Sequence, residues 1–321
     1  SESNSGGMLR TRFTNVIGVE YPIASAGMGG GATSSELVGA VSEAGALGVV
    51  GASFLSPDET AALVAGAREL TAKPIGINLL LHTTEARVDE ILALRPEVLS
   101  TAWPRDDQDL AAVFAKAHER GCRVMHMVPL AEDAVRAAEA GADVIVAQGF
   151  EGGGHIGELA SSVVVRQVAK AVGGSVPVLA AGGFVDGAGL AAALALGADG
   201  VLLGTRFLAT AEAPVENAYK EAIVASDGTD TVLTTLNDSL TGRDWPGAWV
   251  RMQRTPFVEH WLGREPELRR RRQRLLSELQ EDDLTFFGQS AGLIDSIKPA
   301  AEVVREIVAE AERILASLGT R

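Results

Sequence analysis

The chain has 321 residues, of which 46% are apolar and 22% are charged, as in ordinary globular proteins. Its formal net charge of −14 argues against a nucleic-acid partner, because such binding requires a dense basic surface. A single cysteine, Cys122, excludes an intramolecular disulfide, and no apolar run reaches the roughly 18 residues of a membrane span, so we expect a cytoplasmic protein without a membrane partner.

Eight short apolar segments recur along the chain, mostly about 21 to 25 residues apart, which is the length of one strand-helix unit. We interpret them as strands at Pro22–Ala26, Ala46–Gly51, Pro74–Asn78, Glu97–Thr101, Cys122–Val128, Asp143–Gln148, Val176–Ala181 and Gly200–Gly204. Nearly continuous apolar runs are typical of parallel strands that helices cover. The pattern predicts an α/β protein with a (β/α)8 TIM-barrel fold, and a doubly wound open sheet is the alternative.

The regular spacing ends after the eighth strand. Residues 211–285 hold three of the four tryptophans and a run of arginines at 269–272 and 274, without a clear parallel strand. We predict a helical insertion or lid here, between barrel segments 9–210 and 286–321, with a last helix over 299–318. The polar residues 1–8 are predicted to be flexible. The arginines are interpreted as a solvated helix face or a contact to an acidic neighbour, because glutamates flank them.

A glycine-rich loop follows the sixth predicted strand and is the most informative stretch of the chain. Gln148 ends the strand, glycines 149, 152, 153 and 154 follow, and His155 ends the run. Glycines permit positive φ and let backbone amides approach a planar or anionic ligand. Because histidine can exchange a proton near neutral pH, the run predicts a cofactor cradle with a titratable group at its rim.

Two further glycine loops end the seventh and eighth predicted strands. TIM-barrel enzymes often bind phosphate at the loops that follow these two strands. The backbone amides of Gly182, Gly183, Gly204 and Thr205, with the Thr205 hydroxyl, are therefore predicted to hold a phosphate. For the adjacent Arg206, a structural ion pair and a ligand contact remain equal alternatives.

Other strand ends are expected to meet at the same rim. The first strand leads into Gly27 and Met28, whose small surroundings would admit a flat ring close to the backbone. The third strand ends at Asn78 and the sixth at Gln148, and a carboxamide both donates and accepts hydrogen bonds. Together they predict a site for a flat heteroaromatic cofactor with donors and acceptors along its edge.

The remaining histidines carry weaker signals. His126 lies within the fifth predicted strand, where it is either a core residue or a pocket residue, while His82, His118 and His260 belong to no recognisable constellation. No His or acidic pair has metal-ligand spacing, so no catalytic metal is expected. The absence of a nucleophile elbow and of a Walker loop in the sequence argues against hydrolase and phosphotransferase functions.

Six short motifs occur together in order: GMGGG, GIN, AQGFEGGGHIG, AAGGF, LLGTRF and GQSAGLI. Over roughly residues 9 to 315 this set resembles the nitronate monooxygenase family, FMN-dependent TIM barrels with an extra helical domain. The resemblance implies FMN as cofactor and His155 as the active-site histidine. The implied FMN contacts are Gly27, Met28, Asn78, Gln148, Gly153, Gly154, Gly182, Gly183, Gly204, Thr205, Gln289 and Ser290. Members often carry glutamine where this chain has Ser25, which leaves the substrate contacts there open.

The resemblance implies oxidation of an alkyl nitronate by O2 to a carbonyl compound and nitrite. The alternative is an FMN-dependent reductase that uses NAD(P)H and acts on an enoyl thioester or a quinone, because such enzymes share the GGGH segment. The arginine run would then serve a phosphopantetheine or CoA group. A flavin-binding protein without catalytic activity is a third hypothesis. A homodimer and the use of NAD(P)H stay open.

Overall fold

The computed structural model describes residues 9–245 and 247–319. The predicted flexible segment 1–8 lies outside them. The strands are β1 (Ile23–Ser25), β2 (Gly48–Gly51), β3 (Ile75–Leu80), β4 (Val98–Ala102), β5 (Arg123–Val128), β6 (Val144–Gln148), β7 (Gly154–Ile156), β8 (Val178–Ala181), β9 (Gly200–Leu203), β10 (Thr231–Thr234) and β11 (Trp249–Gln253).

The helices, numbered in the same way, alternate with the strands through most of the chain. They are α1 (Arg12–Ile17), α2 (Ser35–Glu43), α3 (Pro57–Leu70), α4 (Leu81–Thr84), α5 (Val88–Ala93), α6 (Leu110–Glu119), α7 (Ala131–Glu139), α8 (Ser161–Val172), α9 (Gly187–Ala195), α10 (Thr205–Leu208), α11 (Asn217–Ala225), α12 (Leu236–Thr241), α13 (Pro256–Trp261), α14 (Glu265–Glu278) and α15 (Ala300–Gly319). Short 3-10 turns cover Glu85–Arg87 and Gln289–Leu293.

Eight parallel strands form a nearly closed barrel, which confirms the predicted TIM-barrel fold. Their order is β1-β9-β8-β6-β5-β4-β3-β2, and a parallel bridge between Ala24 and Leu47 joins the first strand to the start of the second. Each strand coincides with one of the eight apolar segments, because both faces of a barrel strand are buried. The carboxyl ends of the strands therefore meet at one rim.

Two apolar layers stabilise the barrel. Side chains that point inward, such as Val49, Met125 and Leu179, fill its interior together with Phe13 from α1. Side chains that point outward pack against the surrounding helices in a larger core. The last helix, α15, contributes Val303, Val304 and other residues to this outer core, as its helical spacing predicts.

The insertion after the eighth barrel strand contains α11 to α14, and the structure adds a small sheet to its helices. Strands β10 and β11 pair antiparallel, and β11 also pairs antiparallel with β7, so that Val250 lies opposite His155. Because β7 is part of the glycine-rich loop, this sheet attaches the insertion directly to the barrel rim. None of the described helices is long and apolar enough to cross a membrane.

Candidate active site

A cavity of about 510 Å³ opens at the carboxyl ends of the barrel strands, under the insertion. Twelve of the thirteen residues proposed for the site line it: Gly27, Met28, Asn78, Gln148, Gly153, Gly154, His155, Gly182, Gly183, Gly204, Thr205 and Ser290. The thirteenth, Gln289, does not line it. The backbone N–H of Gln289 instead donates to the carbonyl of Glu151, 2.8 Å away, which ties the returning chain to the glycine-rich loop.

The loops after β8 and β9 form a lobe of the cavity that is rich in backbone donors. Gly182 and Gly183 have φ values of 86° and 82°, and a Cβ at Gly182 would lie 2.6 Å from the carbonyl oxygen of Gly149. Only glycine fits there without a shift of the loop. Within the described residues, the N–H groups of Gly182 and Gly183 donate to no backbone carbonyl. The Thr205 hydroxyl accepts from the Gly288 N–H at 2.9 Å and keeps its own proton for another acceptor.

Two carboxamides lie at the rim, one on β3 and one at the end of β6, with β4 and β5 between them. The Asn78 side chain is buried, and its Nδ2 donates to Ser100 Oγ at 2.9 Å, which fixes the direction of the amide. The Gln148 side chain makes no hydrogen bond to any described residue and lines the same cavity. Gly27 lies against Asn78, since a Cβ on it would lie 2.3 Å from the Cβ of Asn78. The glycine thus permits the first and third strand ends to meet.

His155 is held on two sides by residues of the insertion. Its Nε2 lies 2.8 Å from Asp238 Oδ1, and the two side chains are 14% and 7% exposed. The Trp245 ring lies against the imidazole, with ring centroids 3.6 Å apart and an interplanar angle of 34°. His82 stacks on the same indole at 5.4 Å. The imidazole therefore meets a carboxylate at one edge and an aromatic ring at one face.

The glycine-rich loop is anchored to its surroundings by two charged side chains. The Glu151 carboxylate accepts from the backbone N–H of Ser161 at 2.9 Å and from its hydroxyl at 2.7 Å, at the beginning of α8. The buried guanidinium of Arg251 donates to the carbonyl of Phe150 at 2.8 Å and to the Thr231 hydroxyl at 2.9 Å. Burial lowers the pKa of Arg251, and the nearby Glu151 carboxylate opposes this shift.

Among the described residues that line the cavity, Arg243 is the one arginine or lysine, and none is an aspartate or glutamate. Its guanidinium lies 4.2 Å from the centroid of the Phe54 ring and forms no ion pair with the described residues. Trp103 lines the cavity nearby, with a left-handed backbone at φ 51°. The cavity therefore carries a positive charge without a counter-ion, although the whole chain is acidic.

Two residues that the sequence left open, His126 and Arg206, lie outside the cavity lining, as does the cysteine, Cys122. His126 points toward the helix layer, where Phe114 lies 5.5 Å away and the Thr101 hydroxyl 2.7 Å away, and burial lowers its pKa to about 4. The buried Arg206 donates to the carbonyls of Ala209 and Ser296, which makes it structural. Burial raises the pKa of Cys122 to about 12, so its thiol is inert near neutral pH.

Sequence reasoning missed several residues of the site. Trp103 lies two residues after the fourth predicted strand, so a search of the residues just beyond each strand end would have found it. Asp238 and Trp245 have no such signal, because they reach His155 from a separate segment, 83 residues away along the chain in the case of Asp238. Outside Pro246 and the two chain ends, the structure contains no group of three His, Cys, Asp or Glu side chains that could hold a metal.

Comparison with known proteins identifies the family of this chain. A family model described as nitronate monooxygenase matches residues 10–89 and 82–310. The chain belongs to the nitronate monooxygenase family. Its homologues are oxidoreductases, and the family and its structural neighbours are flavin enzymes.

Individual relatives point to more than one activity. The chain is 39% identical over 238 residues to a (3aS,4S,5R,7aS)-5-hydroxy-7a-methyl-1-oxo-octahydro-1H-indene-4-carboxyl-CoA dehydrogenase of Mycobacterium tuberculosis, a match that covers 73% of this chain and 66% of that protein. It is 34% identical over 280 residues to a "Probable nitronate monooxygenase" of Staphylococcus saprophyticus, which covers 73% and 77%. The structure of FabK from Thermotoga maritima matches with a TM-score of 0.86 at 34% identity, covering 97% and 99%. The chain thus spans just under two thirds of the length of the dehydrogenase.

Proposed function

We propose that this chain is an FMN-dependent nitronate monooxygenase that oxidises alkyl nitronates with O2 to carbonyl compounds and nitrite. The observation that carries the proposal is the placement of His155 on a cavity that also holds two loops of free backbone donors. A proton-transfer group next to a cofactor cradle is what this reaction requires. Membership of the family supports the same reaction.

FMN fits the donor-rich lobe of the cavity. The phosphate would be held by the amides of Gly182, Gly183, Gly204 and Thr205 and by the Thr205 hydroxyl, because successive backbone N–H groups in turns form anion-binding concavities. Gly182 and Gly183 have the positive φ values of such a turn. A lysine is not needed for such a site, because charge-assisted hydrogen bonds from backbone amides are themselves strong.

The ring of the cofactor would lie against the remaining strand ends. Asn78 and Gln148 would bind its polar edge, because each offers both a donor and an acceptor. Backbone at Gly27, Met28, Gly153 and Gly154 would approach its face, and Ser290 would close the site. For Gln289 the support is the family resemblance, since its side chain does not line the cavity.

His155 would act on the substrate rather than on the phosphate. When bound, FMN would supply the electron transfer that the protein's side chains cannot perform. The imidazole would either take a proton from a neutral nitroalkane or donate a hydrogen bond to a nitronate that is already formed. Trp245 covers one face of the imidazole and limits the access of water to it.

Nitrite release in air tests this proposal. We expect purified protein to be yellow and to release nitrite from an alkyl nitronate. His155→Ala should keep its flavin and lose about 10²- to 10⁴-fold in turnover, the usual contribution of a general acid or base. His118→Ala is the matched control, because His118 pairs with Asp143 at the opposite end of the barrel. Abundant FMN without nitrite release, or an unchanged rate in His155→Ala, would contradict the proposal.

A second candidate is an FMN-dependent reductase or dehydrogenase that acts on an acyl thioester and exchanges hydride with NAD(P)H. Two observations favour it: the similarity to the carboxyl-CoA dehydrogenase and to FabK, an enoyl reductase, and the unpaired Arg243 on the cavity lining. A guanidinium without a counter-ion fits the phosphate groups of such substrates.

Anaerobic mixing with NADH and NADPH, each without nitronate, separates the two candidates. Rapid bleaching of the flavin absorbance by either nucleotide would favour the reductase. A flavin that either nucleotide leaves oxidised, but that supports aerobic nitrite release from a nitronate, would favour the monooxygenase. Arg243→Gln should raise KM for an acyl-CoA substrate about tenfold or more if the guanidinium binds its phosphates.

A further inference from the structure

The hydrogen bond between His155 and Asp238 determines which nitrogen of the imidazole can reach a substrate. Asp238 Oδ1 lies 2.8 Å from Nε2, and no hydrogen bond to a described residue is made by Nδ1. An ionised carboxylate only accepts hydrogen bonds, so Nε2 must carry the proton in the neutral imidazole. Nδ1 is then left with a lone pair and without a proton.

The surroundings prevent the imidazole ring from flipping about its Cβ–Cγ bond. The backbone of His155 is held in β7 by its pairing with Val250, and the Trp245 ring lies 3.6 Å from the imidazole. Asp238 itself is fixed within α12, where its carbonyl accepts from the N–H of Arg243 at 3.0 Å just beyond the helix end. A flipped ring would place the carbon Cε1, in place of Nε2, against the buried Asp238 carboxylate, which costs both groups their hydrogen bond.

We propose that Asp238 is a positioning residue that holds His155 in the tautomer with the proton on Nε2 and so makes Nδ1 a base. This inference rests on the proposed function and specifies the chemical form of the substrate. The site accepts a neutral carbon acid and ionises it. The C–H bond next to the nitro group breaks, its proton goes to Nδ1, and its electron pair moves onto the nitro group to form the nitronate. The resulting imidazolium is stabilised by the Asp238 carboxylate, as a buried carboxylate stabilises imidazolium in other enzymes.

The substitution Asp238→Asn reverses the tautomer while it keeps the shape of the side chain. The asparagine amide can donate to Nε2, so the imidazole proton moves to Nδ1, which then donates instead of accepting. Nitrite release from neutral nitroethane should fall about 10²- to 10⁴-fold, because the base is lost. Release from a nitronate formed beforehand should not fall, because that anion needs no base and the Nδ1–H of the variant can donate to it. Asp244→Asn is the matched control, since Asp244 is exposed in the same segment, and it should leave both rates unchanged.

Nitrogen-15 NMR of histidine-labelled protein reads the tautomer directly and does not depend on activity. In the wild-type protein the His155 proton should be on Nε2, and in Asp238→Asn it should be on Nδ1. A wild-type spectrum with the proton on Nδ1 would overturn the inference, as would an Asp238→Asn variant that loses both rates equally and keeps the wild-type nitrogen pattern. If the wild-type protein releases nitrite from neither compound, the proposed function fails, and the NMR result still decides the role of Asp238.

Discussion

Two imidazoles in this barrel differ in chemistry because of the groups around them. His155 faces the cavity and meets a carboxylate, while His126 points outward from β5 into the layer between strands and helices. Successive residues of a strand point to opposite sides, so His126 and its neighbour Met127, which lines the cavity, cannot both reach the site. The sequence left open whether His126 is a core residue or a pocket residue. A shift of one residue along the strand would have exchanged the two sides, so the strand register decides that His126 lies in the core.

His126 should make the protein sensitive to acid. Burial lowers its pKa from 6.5 to about 4, so the unfolded chain binds its proton first as the pH falls. The stabilising contribution is complete above pH 6.5 and is lost as the pH falls toward 4, at about 1.4 kcal/mol per pH unit or about 3 kcal/mol in total. We expect the free energy of unfolding of His126→Gln to fall less over this range than that of the wild type. Urea unfolding at several pH values measures it.

The comparison variant is His260→Gln, because the His260 side chain is exposed on α13. Its unfolding free energy should follow the wild-type pH curve. Parallel curves for His126→Gln and the wild type would show that His126 is not the source of the acid sensitivity.

At the scale of elements, the barrel was predictable and the insertion was predictable only in part. The eight strands appear in the sequence because burial on both faces requires unbroken apolar runs, and the strand-end rule then located residues on the barrel side of the cavity. Strands β10 and β11 have four and five residues and pair with each other, and β11 also pairs with β7, a glycine-rich segment that has little strand character of its own. The pairing of these strands depends on contacts between residues that are distant in sequence. The same is true of the contact between Asp238 and His155, so no local sequence pattern predicts either.

Arg251 connects the two parts and should be important for stability. Its guanidinium makes three hydrogen bonds to Phe150 and Thr231 with only 3% of the residue exposed. Arg251→Met would leave the half-buried Phe150 carbonyl and the buried Thr231 hydroxyl without these donors, so we expect a loss of about 2–3 kcal/mol in the free energy of unfolding. Arg254→Met, three residues along, removes only an exposed ion pair with Glu259 and should cost less than about 1 kcal/mol. Equal losses in urea unfolding would contradict a connecting role for Arg251.

For the whole molecule, the cavity lies between barrel and insertion, so a ligand that fills it should stabilise both. Ligand binding to the folded state alone adds about 2.7 kcal/mol at one hundred times Kd, which raises the Tm of a chain of this size by several degrees. We expect FMN to raise the Tm of flavin-free protein more than riboflavin does at the same concentration. The reason is that riboflavin lacks the phosphate assigned to Gly182, Gly183, Gly204 and Thr205.

Two glycines with similar backbone geometry allow a test of the part of the FMN site that is proposed to hold the flavin ring. Gly154 and Gly121 have φ values of 73° and 71°, and an added Cβ would find no protein atom within 4 Å at either position. Alanine should therefore strain both backbones alike, but only Gly154 lines the cavity. Differential scanning calorimetry should find both variants equally destabilised without ligand, and a smaller gain in Tm with FMN for Gly154→Ala alone. An equal gain in the two variants would place the flavin away from the glycine-rich loop, and with it away from His155.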